Sequence, residues 1–533
     1  MMKKSIKKLL ASLLAVAMLC AMAVPALAVS NTHTLTINGT TSGHTYEAYQ
    51  VFAGKLAENG VLSDITFGTG VDGAALLADT NLPSELKGKA SAAELASALV
   101  GKENDSELLN EFAKVISMHL DTVAGTSTSS TTTYTISGLA DGYYFIKDAT
   151  VRLPNGATYS RYMLNIVTNL AINAKDTTVT LDKQIKHNET DDWGVVGDNQ
   201  IGDTVEFRTI TTVPDTTGYT SYTYEIHDTM SSELTSNVKG NNDITIKVNG
   251  TNVLDSTYYS VTVDTTNSNK FTVKVKIIDA VTAGVLHAND KLYTYYTGVL
   301  NENAKVYPDG PQQNEAHLVY SNNPNDTSTG ETVHKTVYDW TFQIDVTKVD
   351  GTTPDKKLEG AVFVLSKSAD LVLKPEDNGT PTEHTDDLIK LVKKSEGVYT
   401  VADASTSTTY TMTTPATGQI SIKGLDDDTT YYLYETKAPS GYNSLTAPVT
   451  FKIATRTNDN YSDTGVTINE QPNITVNGNP TLSGTAFNVE NNAGTTLPST
   501  GGIGTTIFYV LGSILVIGAV VLLITKKRMS AAA

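Results

Sequence analysis

The chain has 533 residues, a formal net charge of −18 and one cysteine. The excess of acidic residues argues against binding to nucleic acid or to an anionic membrane surface, because both partners would repel it. A single cysteine excludes an intramolecular disulfide, so another feature must reinforce the fold.

The N-terminus predicts a secretory signal peptide at residues 1–28. Four lysines precede an apolar run from Leu9 to Val24, and a small-x-small pattern (ALA) follows at residues 26–28. The run is too short for an anchor, so we expect the mature chain to begin at Val29. Cys20 would then be lost. Removing this peptide and the basic C-terminal tail takes away seven basic residues and no acidic one, which makes the charge −25.

The sequence between the two ends is typical of β-sandwiches. It is rich in Thr, Val and Tyr, and its short alternating runs are separated by Gly, Asn and Asp. We divide it into three predicted domains, at residues 29–174, 175–340 and 341–492. Because no long flexible linker separates them, we expect the domains to stack into a stiff rod. The predicted fold class is mainly β, with tandem immunoglobulin-like sandwiches.

Helical signal is concentrated in the first domain. A helix is predicted to begin at residues 105–106 (DS), and a second, weaker one spans Ser91 to Val100. The apolar face of the first helix is formed by Leu108, Leu109, Phe112, Val115 and Ile116. Residues 45–52 (TYEAYQVF) and 138–144 (GLADGYY) resemble the N-terminal domain of SpaA-type backbone pilins, the sortase-assembled shaft subunits of Gram-positive pili. This domain shows no convincing trio of lysine, acid and asparagine, so no crosslink is predicted in it.

A candidate acceptor lysine lies at the boundary of the first and second domains. In backbone pilins the lysine of a WxxxVxVYPK motif supplies the amine that joins one subunit to the next. Residues 166–175 (IVTNLAINAK) resemble this motif in their apolar alternation and place Lys175 at its lysine. Ile166 replaces the tryptophan, and residues 173–174 (NA) replace Tyr-Pro. The alternatives are an ordinary exposed lysine at this position, or Lys186 as the acceptor.

The second domain contains period-two runs, such as residues 204–207 (TVEF) and 274–277 (KVKI), that predict strands. Three further segments resemble the Cna A-type domains of backbone pilins: residues 179–183 (VTLDK), 224–229 (YEIHDT) and 314–320 (NEAHLVY).

The A-type resemblance implies an isopeptide bond between Lys183 and Asn314, with Asp228 as the assisting acid. Asn322 and Asn323 remain alternative partners for the lysine. The competing interpretation is an ordinary sandwich without a covalent bond.

The third domain resembles the Cna B-type domains of Gram-positive surface proteins. The segments that carry the resemblance are residues 345–350 (DVTKVD), 358–363 (LEGAVF), 431–442 (YYLYETKAPSGY) and 487–491 (FNVEN). The resemblance implies an isopeptide bond between Lys348 and Asn491, assisted by Glu435. The alternative is a solvated ion pair of the lysine and the acid, with the asparagine in a turn.

The residue types fit this chemistry on general grounds. A lysine amine attacks an amide only when it is neutral, and burial in an apolar core lowers the pKa of a lysine. Burial raises the pKa of a carboxyl group, so a protonated acid can donate to the amide oxygen and move protons as ammonia leaves. Folding supplies the proximity, which is the largest part of the rate gain.

The C-terminal segment, residues 493–533, predicts a membrane-anchored sorting signal. An uncharged apolar stretch at residues 503–524 is long enough to span a bilayer, and the basic residues 526–528 (KKR) should remain on the cytoplasmic side. The pentapeptide before it matches the LPxTG pattern that sortases recognise, and consists of Leu497, Pro498, Ser499, Thr500 and Gly501. The resemblance implies that a sortase thiolate attacks the Thr500 carbonyl, releases the tail at Gly501, and transfers the acyl group to an amine.

Other functional motifs are weak. The nine histidines are scattered, no Cys/His spacing predicts a metal site, and residues 426–428 (DDD) are typical of a polar turn. We therefore expect neither a cofactor nor a metal, and no multiple-turnover active site.

Together these resemblances imply the major structural subunit of a covalent, cell-wall-anchored pilus on a Gram-positive surface. The implied partners are sortase, identical subunits and peptidoglycan, with minor pilins and host surface ligands as further candidates, and no nucleic acid. Self-crosslinking occurs once per chain, so the protein would not be an enzyme. The alternatives are a monomeric wall-anchored adhesin or a minor pilin, and, less well supported, a surface hydrolase.

Overall fold

The structure, a computed structural model, is built mainly of antiparallel strands arranged in three successive pairs of sheets. This agrees with the predicted mainly β class. The described residues are 32–39, 41–57, 60–103, 106–174, 178–188, 190–371, 385–403, 408–455, 472–480, 484–495 and 503–530.

The first pair of sheets lies within the predicted first domain. Its elements are β1 (His33–Asn38), β2 (Tyr46–Leu56), β3 (Leu62–Phe67), α1 (Gly73–Ala78), α2 (Ala92–Ala98), α3 (Glu107–Met118), β4 (Gly125–Thr126), β5 (Thr128–Ser130), β6 (Thr133–Leu139), β7 (Gly142–Asp148), β8 (Arg161–Ile166) and β9 (Leu170–Asn173). One sheet has the order β5-β6-β1-β9, and the other has the order β3-β2-β7-β8 with β4 added to β2. The helices cover the outer face of the second sheet, so β2 and β7 are buried on both sides.

Both predicted helices are confirmed. The Ser106 side chain accepts a hydrogen bond from the Leu109 backbone N–H and so caps the start of α3, and the five apolar residues predicted for its inner face are all buried. Ser91 caps α2 in the same way. The short helix α1, capped by Asp72, was not predicted, because six residues are too few for a clear periodic pattern.

The second pair of sheets contains two larger layers. Its elements are β10 (Leu181–Lys186), β11 (Trp193–Gly194), β12 (Val196–Asp198), β13 (Thr204–Thr212), β14 (Tyr224–Met230), β15 (Leu234–Ser236), a 3-10 turn (Asn241–Asp243), β16 (Thr245–Val248), β17 (Asn252–Val253), a second 3-10 turn (Ser256–Tyr258), β18 (Tyr259–Val263), β19 (Lys270–Val275), α4 (Ile277–Thr282), β20 (Lys291–Leu300), β21 (Gln312–Ser321), β22 (Thr329–Glu331) and β23 (Lys335–Trp340). The orders are β11-β10-β13-β20-β16-β17, with β15 on β20, and β12-β23-β21-β14-β19-β18, with β22 on β21.

The strand predicted at residues 274–277 is only half right. Strand β19 ends at Val275, because its neighbours β14 and β18 pair with it no further than this residue. The chain then turns into α4, which buries Ile277 and Ala280 on one side. The predicted strand at residues 204–207 is confirmed as the start of β13.

The third pair of sheets packs directly after the second. Its elements are β24 (Phe342–Asp350), β25 (Val362–Ser366), a 3-10 turn (Thr385–Asp387), β26 (Leu391–Ser395), β27 (Val398–Val401), β28 (Met412–Thr413), β29 (Gln419–Leu425), β30 (Thr430–Lys437), β31 (Val449–Ala454), β32 (Asn473–Val476), β33 (Asn479–Pro480) and β34 (Ala486–Asn491). One sheet has the order β26-β27-β29-β24-β34 and the other β28-β25-β30-β31-β32-β33. The first and last strands, β24 and β34, are parallel neighbours.

Contacts between successive sandwiches are extensive. Arg161 on β8 is buried and reaches into the second sandwich, where its guanidinium donates to the Pro324 and Gly218 carbonyl oxygens at 3.1 and 2.9 Å and to Asn325 Oδ1 at 2.8 Å. One hydrophobic cluster is continuous through the second and third sandwiches. These contacts agree with the expected stacking of domains.

A long apolar helix, α5 (Ile503–Ser530), follows the third sandwich in sequence. Its segment Thr506–Ser530 contains an 18-residue window with a mean hydropathy of 2.9. It is the one helix among the described residues that is long and apolar enough to cross a membrane. The segment Thr506–Ser530 contains most of the predicted span at residues 503–524, and the basic residues lie in the last turns of the helix.

Candidate isopeptide sites

The second sandwich brings the predicted lysine, acid and asparagine into its interior. Lys183 lies on β10 in one sheet, while Asp228 on β14 and Asn314 on β21 lie in the facing sheet. Each occupies an inward position of an alternating strand, and all three are almost completely buried. The strands therefore position the trio across the core, between the two layers.

The polar atoms of this site are close together. The Lys183 ammonium donates to Asp228 Oδ2 at 2.5 Å, and a third group, the Tyr296 hydroxyl on β20, hydrogen-bonds to both of them. The lysine nitrogen also lies 5.8 Å from the centre of the Phe207 ring. Neither polar atom of the Asn314 side chain makes a hydrogen bond of good geometry within the described structure, although the side chain is close enough to Asp228 and Tyr296 to lower their pKa values.

Burial changes the ionisation of the two charged groups. It lowers the pKa of Lys183, against the attraction of Asp228, and it raises the pKa of Asp228, against the effects of Lys183, Tyr296 and Asn314. Both directions favour transfer of a proton from the ammonium to the carboxylate. The resulting pair, a neutral amine and a protonated acid, is the one that amide attack requires.

The structure distinguishes among the three candidate asparagines. Asn314 faces Met230, two positions from Asp228 along β14, and its side chain projects from the same face of the sheet. Asn322 lies beyond the end of β21, six residues from the position that faces Asp228, which corresponds to about 20 Å along a strand. Asn323 follows it and bonds to Asp326. Asn314 is therefore the asparagine within reach of Lys183.

The third sandwich assembles its trio in a different arrangement. Lys348 on β24 and Asn491 on β34 belong to neighbouring parallel strands of one sheet, and Glu435 projects from β30 in the facing sheet. All three are buried, and the side chains of Lys348 and Glu435 are fully excluded from solvent. The acid therefore covers the junction of the two strands from across the core.

The contacts in this site bring together the three groups that amide exchange requires. The Lys348 nitrogen hydrogen-bonds to Asn491 Oδ1 and lies 3.4 Å from Glu435 Oε1. The Asn491 side-chain nitrogen, which would leave as ammonia, donates to both Glu435 oxygens at 3.0 Å and to the Asn443 carbonyl oxygen at 2.9 Å. Glu435 thus contacts both the attacking and the leaving nitrogen.

Burial also lowers the pKa of Lys348, although the negative charge of Glu435 opposes this effect. The Leu445 backbone N–H donates to Glu435 Oε2 at 2.9 Å and fixes the carboxyl group in place. The site therefore holds a lysine with an increased tendency to be neutral, an amide, and an acid that can move protons between the two nitrogens.

Tyr296 is the site residue that the sequence did not reveal. It lies 68 positions from Asp228 on another strand, within the ordinary alternating run of β20, so no local motif marks it. Its burial and the charge of Asp228 raise the pKa of Tyr296 well above the ordinary value, which keeps the hydroxyl a hydrogen-bond donor.

The predicted residues for attachment between chains lie outside the described residues. These are the acceptor Lys175 and the pentapeptide of Leu497, Pro498, Ser499, Thr500 and Gly501. The competing acceptor Lys186 is described, and its ammonium makes ion pairs with Asp191 at 2.9 Å and with Glu206 at 3.0 Å.

Comparison with known protein families identifies two parts of the chain. Residues 342–471 match the SpaA prealbumin-like fold domain, and residues 489–530 match the LPXTG cell wall anchor motif. No curated protein sequence matches the chain. The anchor match and the apolar helix α5 agree with the predicted location on the cell wall, with transient retention in the membrane.

Solved structures extend the likeness to most of the chain. The T6 backbone pilin of serotype M6 Streptococcus pyogenes, described as a modular three-domain structure, is 17% identical with a TM-score of 0.50, and the match covers 88% of this chain and 100% of that one. The chain is a wall-anchored protein with a backbone-pilin fold. The full-length major pilin SpaD from Corynebacterium diphtheriae also matches this pilin-fold chain, at 18% identity and a TM-score of 0.45, over 88% of this chain and 99% of that one.

Proposed function

We propose that this protein is the major structural subunit of a covalently polymerised pilus anchored to the cell wall. Sortase would join the Thr500 carbonyl of one subunit to a lysine amine of the next, with Lys175 as the acceptor. Internal bonds between Lys183 and Asn314 and between Lys348 and Asn491 would stabilise each subunit. Peptidoglycan would receive the last subunit.

The observation that carries this proposal is the presence of a buried lysine, acid and asparagine in each of two successive sandwiches. A buried ion pair is expensive unless it is well compensated, and hydrophobic residues would often serve a core better. The Asn314 carboxamide, which makes no hydrogen bond of good geometry, adds a further cost. Conversion of these groups to a neutral secondary amide removes both costs.

The bond-forming step can be written so that its atoms balance. The neutral lysine nitrogen attacks the asparagine Cγ, the carbon–nitrogen bond to the carboxamide nitrogen breaks, and that nitrogen leaves as ammonia. The assisting acid, Asp228 or Glu435, takes up the proton that the lysine nitrogen loses on attack and passes a proton to the leaving nitrogen. Each acid acts once in the life of the chain, so the protein is not an enzyme.

The internal bonds would replace the disulfides that the mature sequence cannot form. By the chain-entropy relation used for disulfides, closing a loop of about 100 residues stabilises a fold by roughly 5 kcal/mol. Lys348 and Asn491 are 143 positions apart, so a bond between them constrains nearly the whole third sandwich.

The monomeric wall-anchored adhesin remains the competing function, and immunoblots of wall extracts separate the two. Extracts boiled in detergent should show a ladder of high-mass species, because amide bonds survive this treatment. Lys175→Ala should reduce the ladder to a single band. The matched control is Lys186→Ala, whose ion-paired side chain we expect to be dispensable for the ladder.

Three outcomes would count against parts of the proposal. A single band from the unaltered protein would mean a monomeric adhesin. A ladder that survives Lys175→Ala but disappears in Lys186→Ala would move the acceptor to Lys186. A Thr500→Ala variant that still forms the ladder would exclude the sortase pentapeptide as the site of joining.

A further inference from the structure

Three histidine rings are stacked in a row on the outer face of the second sandwich. His227 on β14 and His317 on β21 are directly paired across the two strands, with ring centres 5.1 Å apart and planes within 8°. The His334 ring, between β22 and β23, follows at 4.1 Å and 4°. Because strand positions alternate, this row lies on the opposite face of the sheet from Asp228 and Asn314.

Strand pairing places a carboxylate beside this row. Strand β21 pairs with β22, where Val319 faces Glu331, and with β23, where Ala316 faces Lys335, the residue after His334. His317, Glu331 and His334 each offer a ligand atom, and these three atoms lie within 4.8 Å of one another. The three side chains converge from separate segments of the chain.

The separation of the three ligand atoms is close to that in a zinc site. Zinc binds imidazole nitrogen and carboxylate oxygen at about 2.0–2.2 Å with tetrahedral geometry, which places its ligand atoms roughly 3.5 Å apart. Because an imidazole lone pair lies in the plane of its ring, the His334 ring must turn out of its stack on His317 before both rings can bind one ion. Glu331 and His334 are exposed, so these side-chain rotations can bring the three atoms to this separation without disturbing the core. Two imidazoles and one carboxylate form a donor set that zinc accepts, with water as the fourth ligand.

A second carboxylate orients one of the ligands. His334 Nδ1 lies 2.9 Å from Glu315 Oε1, and an ionised carboxylate can only accept, so the proton is held on Nδ1. The lone pair is then on Nε2 and available to a metal. Metal-binding histidines commonly donate their other ring N–H to a carboxylate in this way, and the partner sets both tautomer and ring orientation.

The other end of the row is also fixed. His227 Nδ1 lies 3.2 Å from the Thr272 hydroxyl, and its Nε2 lies 3.5 Å from Glu225. These contacts hold the His227 ring in place, and its stacking restricts rotation of His317. The His317 ring is thus partly organised before a metal arrives, which lowers the entropic cost of binding.

We propose that His317, Glu331 and His334 bind one zinc ion on the outer face of the second sandwich, with Glu315 as a positioning residue. The site is separate from both lysine–asparagine trios and does not depend on the proposed pilus function.

Isothermal titration calorimetry of the tag-free, full-length chain in a non-ionic detergent tests this site. Zinc chloride should bind with a stoichiometry of one per chain, whereas calcium and magnesium, which prefer oxygen ligands, should not compete. His317→Ala and His334→Ala should each weaken zinc binding by at least ~100-fold, because removal of a ligand should cost more than removal of its orienting partner. Glu315→Gln should weaken it by about 10–100-fold, the usual effect of losing such a partner.

The matched control is His287→Ala, which removes an exposed histidine far from the row in sequence and should leave zinc affinity unchanged. Circular dichroism of each variant confirms that it is folded, and since His334 is exposed, His334→Ala should not disturb folding. The proposal is overturned if the unaltered chain does not bind zinc, if folded His317→Ala and His334→Ala bind it as tightly as the unaltered chain, or if calcium displaces zinc at similar concentrations.

Discussion

Lys348 and Asn491 lie on the first and last strands of one sheet, and the lysine nitrogen contacts the asparagine side-chain oxygen inside the core. Lys348 is in register with Val489, so its side chain reaches diagonally along the neighbouring strand to the asparagine two positions further on. Glu435 approaches the same point from the facing sheet. This relationship makes the third sandwich the clearest place to test the proposed chemistry.

Glu435→Gln should prevent the Lys348–Asn491 bond while the Lys183–Asn314 bond still forms. Glutamine keeps the size of the side chain but cannot move protons between the two nitrogens. The intact mass of the mature protein should therefore be lower than the sequence mass by one ammonia in the variant and by two in the unaltered protein. Glu490→Gln, on the exposed face of β34, is the control and should lose two. Loss of two ammonias from Glu435→Gln would show that this acid is not needed.

Tyr296→Phe should still lose two ammonias relative to its sequence mass, but it should destabilise the second sandwich. The phenylalanine keeps the ring packing against Phe207 and removes only the hydroxyl that contacts Lys183 and Asp228. With the Lys183–Asn314 bond formed, the lysine is an uncharged amide, so the hydroxyl makes ordinary hydrogen bonds worth about 0.5–1.5 kcal/mol each. We expect a loss of about this size in the free energy of unfolding, measured by denaturant titration. Loss of only one ammonia from the variant would instead show that Tyr296 takes part in bond formation.

Arg161→Met should loosen the junction of the first and second sandwiches. The guanidinium is buried and donates to Gly218, Pro324 and Asn325 across the junction, and burial lowers its pKa to about 10, so it is still charged at neutral pH. Methionine would leave these acceptors without a donor, at a cost of at least ~2 kcal/mol.

Differential scanning calorimetry should detect this loss as a lower unfolding temperature. Arg152→Met, at an exposed position on the same domain, is the control and should unfold like the unaltered protein. Equal unfolding temperatures for the two variants would mean that the Arg161 contacts do not stabilise the junction.

Asp339→Asn should increase stability at pH 8 and have little effect near pH 4. Burial raises the pKa of Asp339 to about 7, a hydrogen bond from Asn199 at 2.7 Å opposes this, and Asp203 adds to it. In the unfolded chain an aspartate has a pKa of about 3.9. Between these two pKa values, Asp339 is ionised in the unfolded chain but still protonated in the folded chain. The free energy of unfolding therefore falls as pH rises from about 4 to about 7, and it is level above that.

The size of this effect follows from the pKa difference. Each pKa unit corresponds to about 1.4 kcal/mol, so ionisation of Asp339 costs up to ~4 kcal/mol at pH 8, and the asparagine variant avoids it. Thermal unfolding at pH 4, 6 and 8 provides the measurement. The exposed Asp182→Asn is the control, and should keep the pH dependence of the unaltered protein. If the stability of Asp339→Asn depended on pH in the same way as that of the unaltered protein, the pH dependence could not be assigned to Asp339.

The sequence revealed the parts of the site that lie in local motifs. Lys183, Asp228, Lys348 and Glu435 each occur within a short recognisable strand segment, and the structure places each of them at a buried position of its strand. Helix α3 was equally clear, because its cap and apolar face are local signals.

The remaining features depend on which distant segments meet. Tyr296 approaches Asp228 only because β20 lies in the sheet that faces β14. Arg161 has no special neighbours in sequence, and its acceptors are loops of the next sandwich. The ligand set of His317, Glu331 and His334 requires β21 to pair with both β22 and β23, which spacing along the chain does not indicate.

The parallel pairing of β24 with β34 has a mechanical consequence. Tension applied along the chain enters β24 at Phe342 and leaves β34 at Asn491, which are opposite ends of the pair, so the strands are pulled in shear and their hydrogen bonds share the load. With an amide between Lys348 and Asn491, the tension passes directly from β24 to β34 through this bond. The residues between them would then carry no load, and a stretched fibre could not lengthen by unravelling this sandwich.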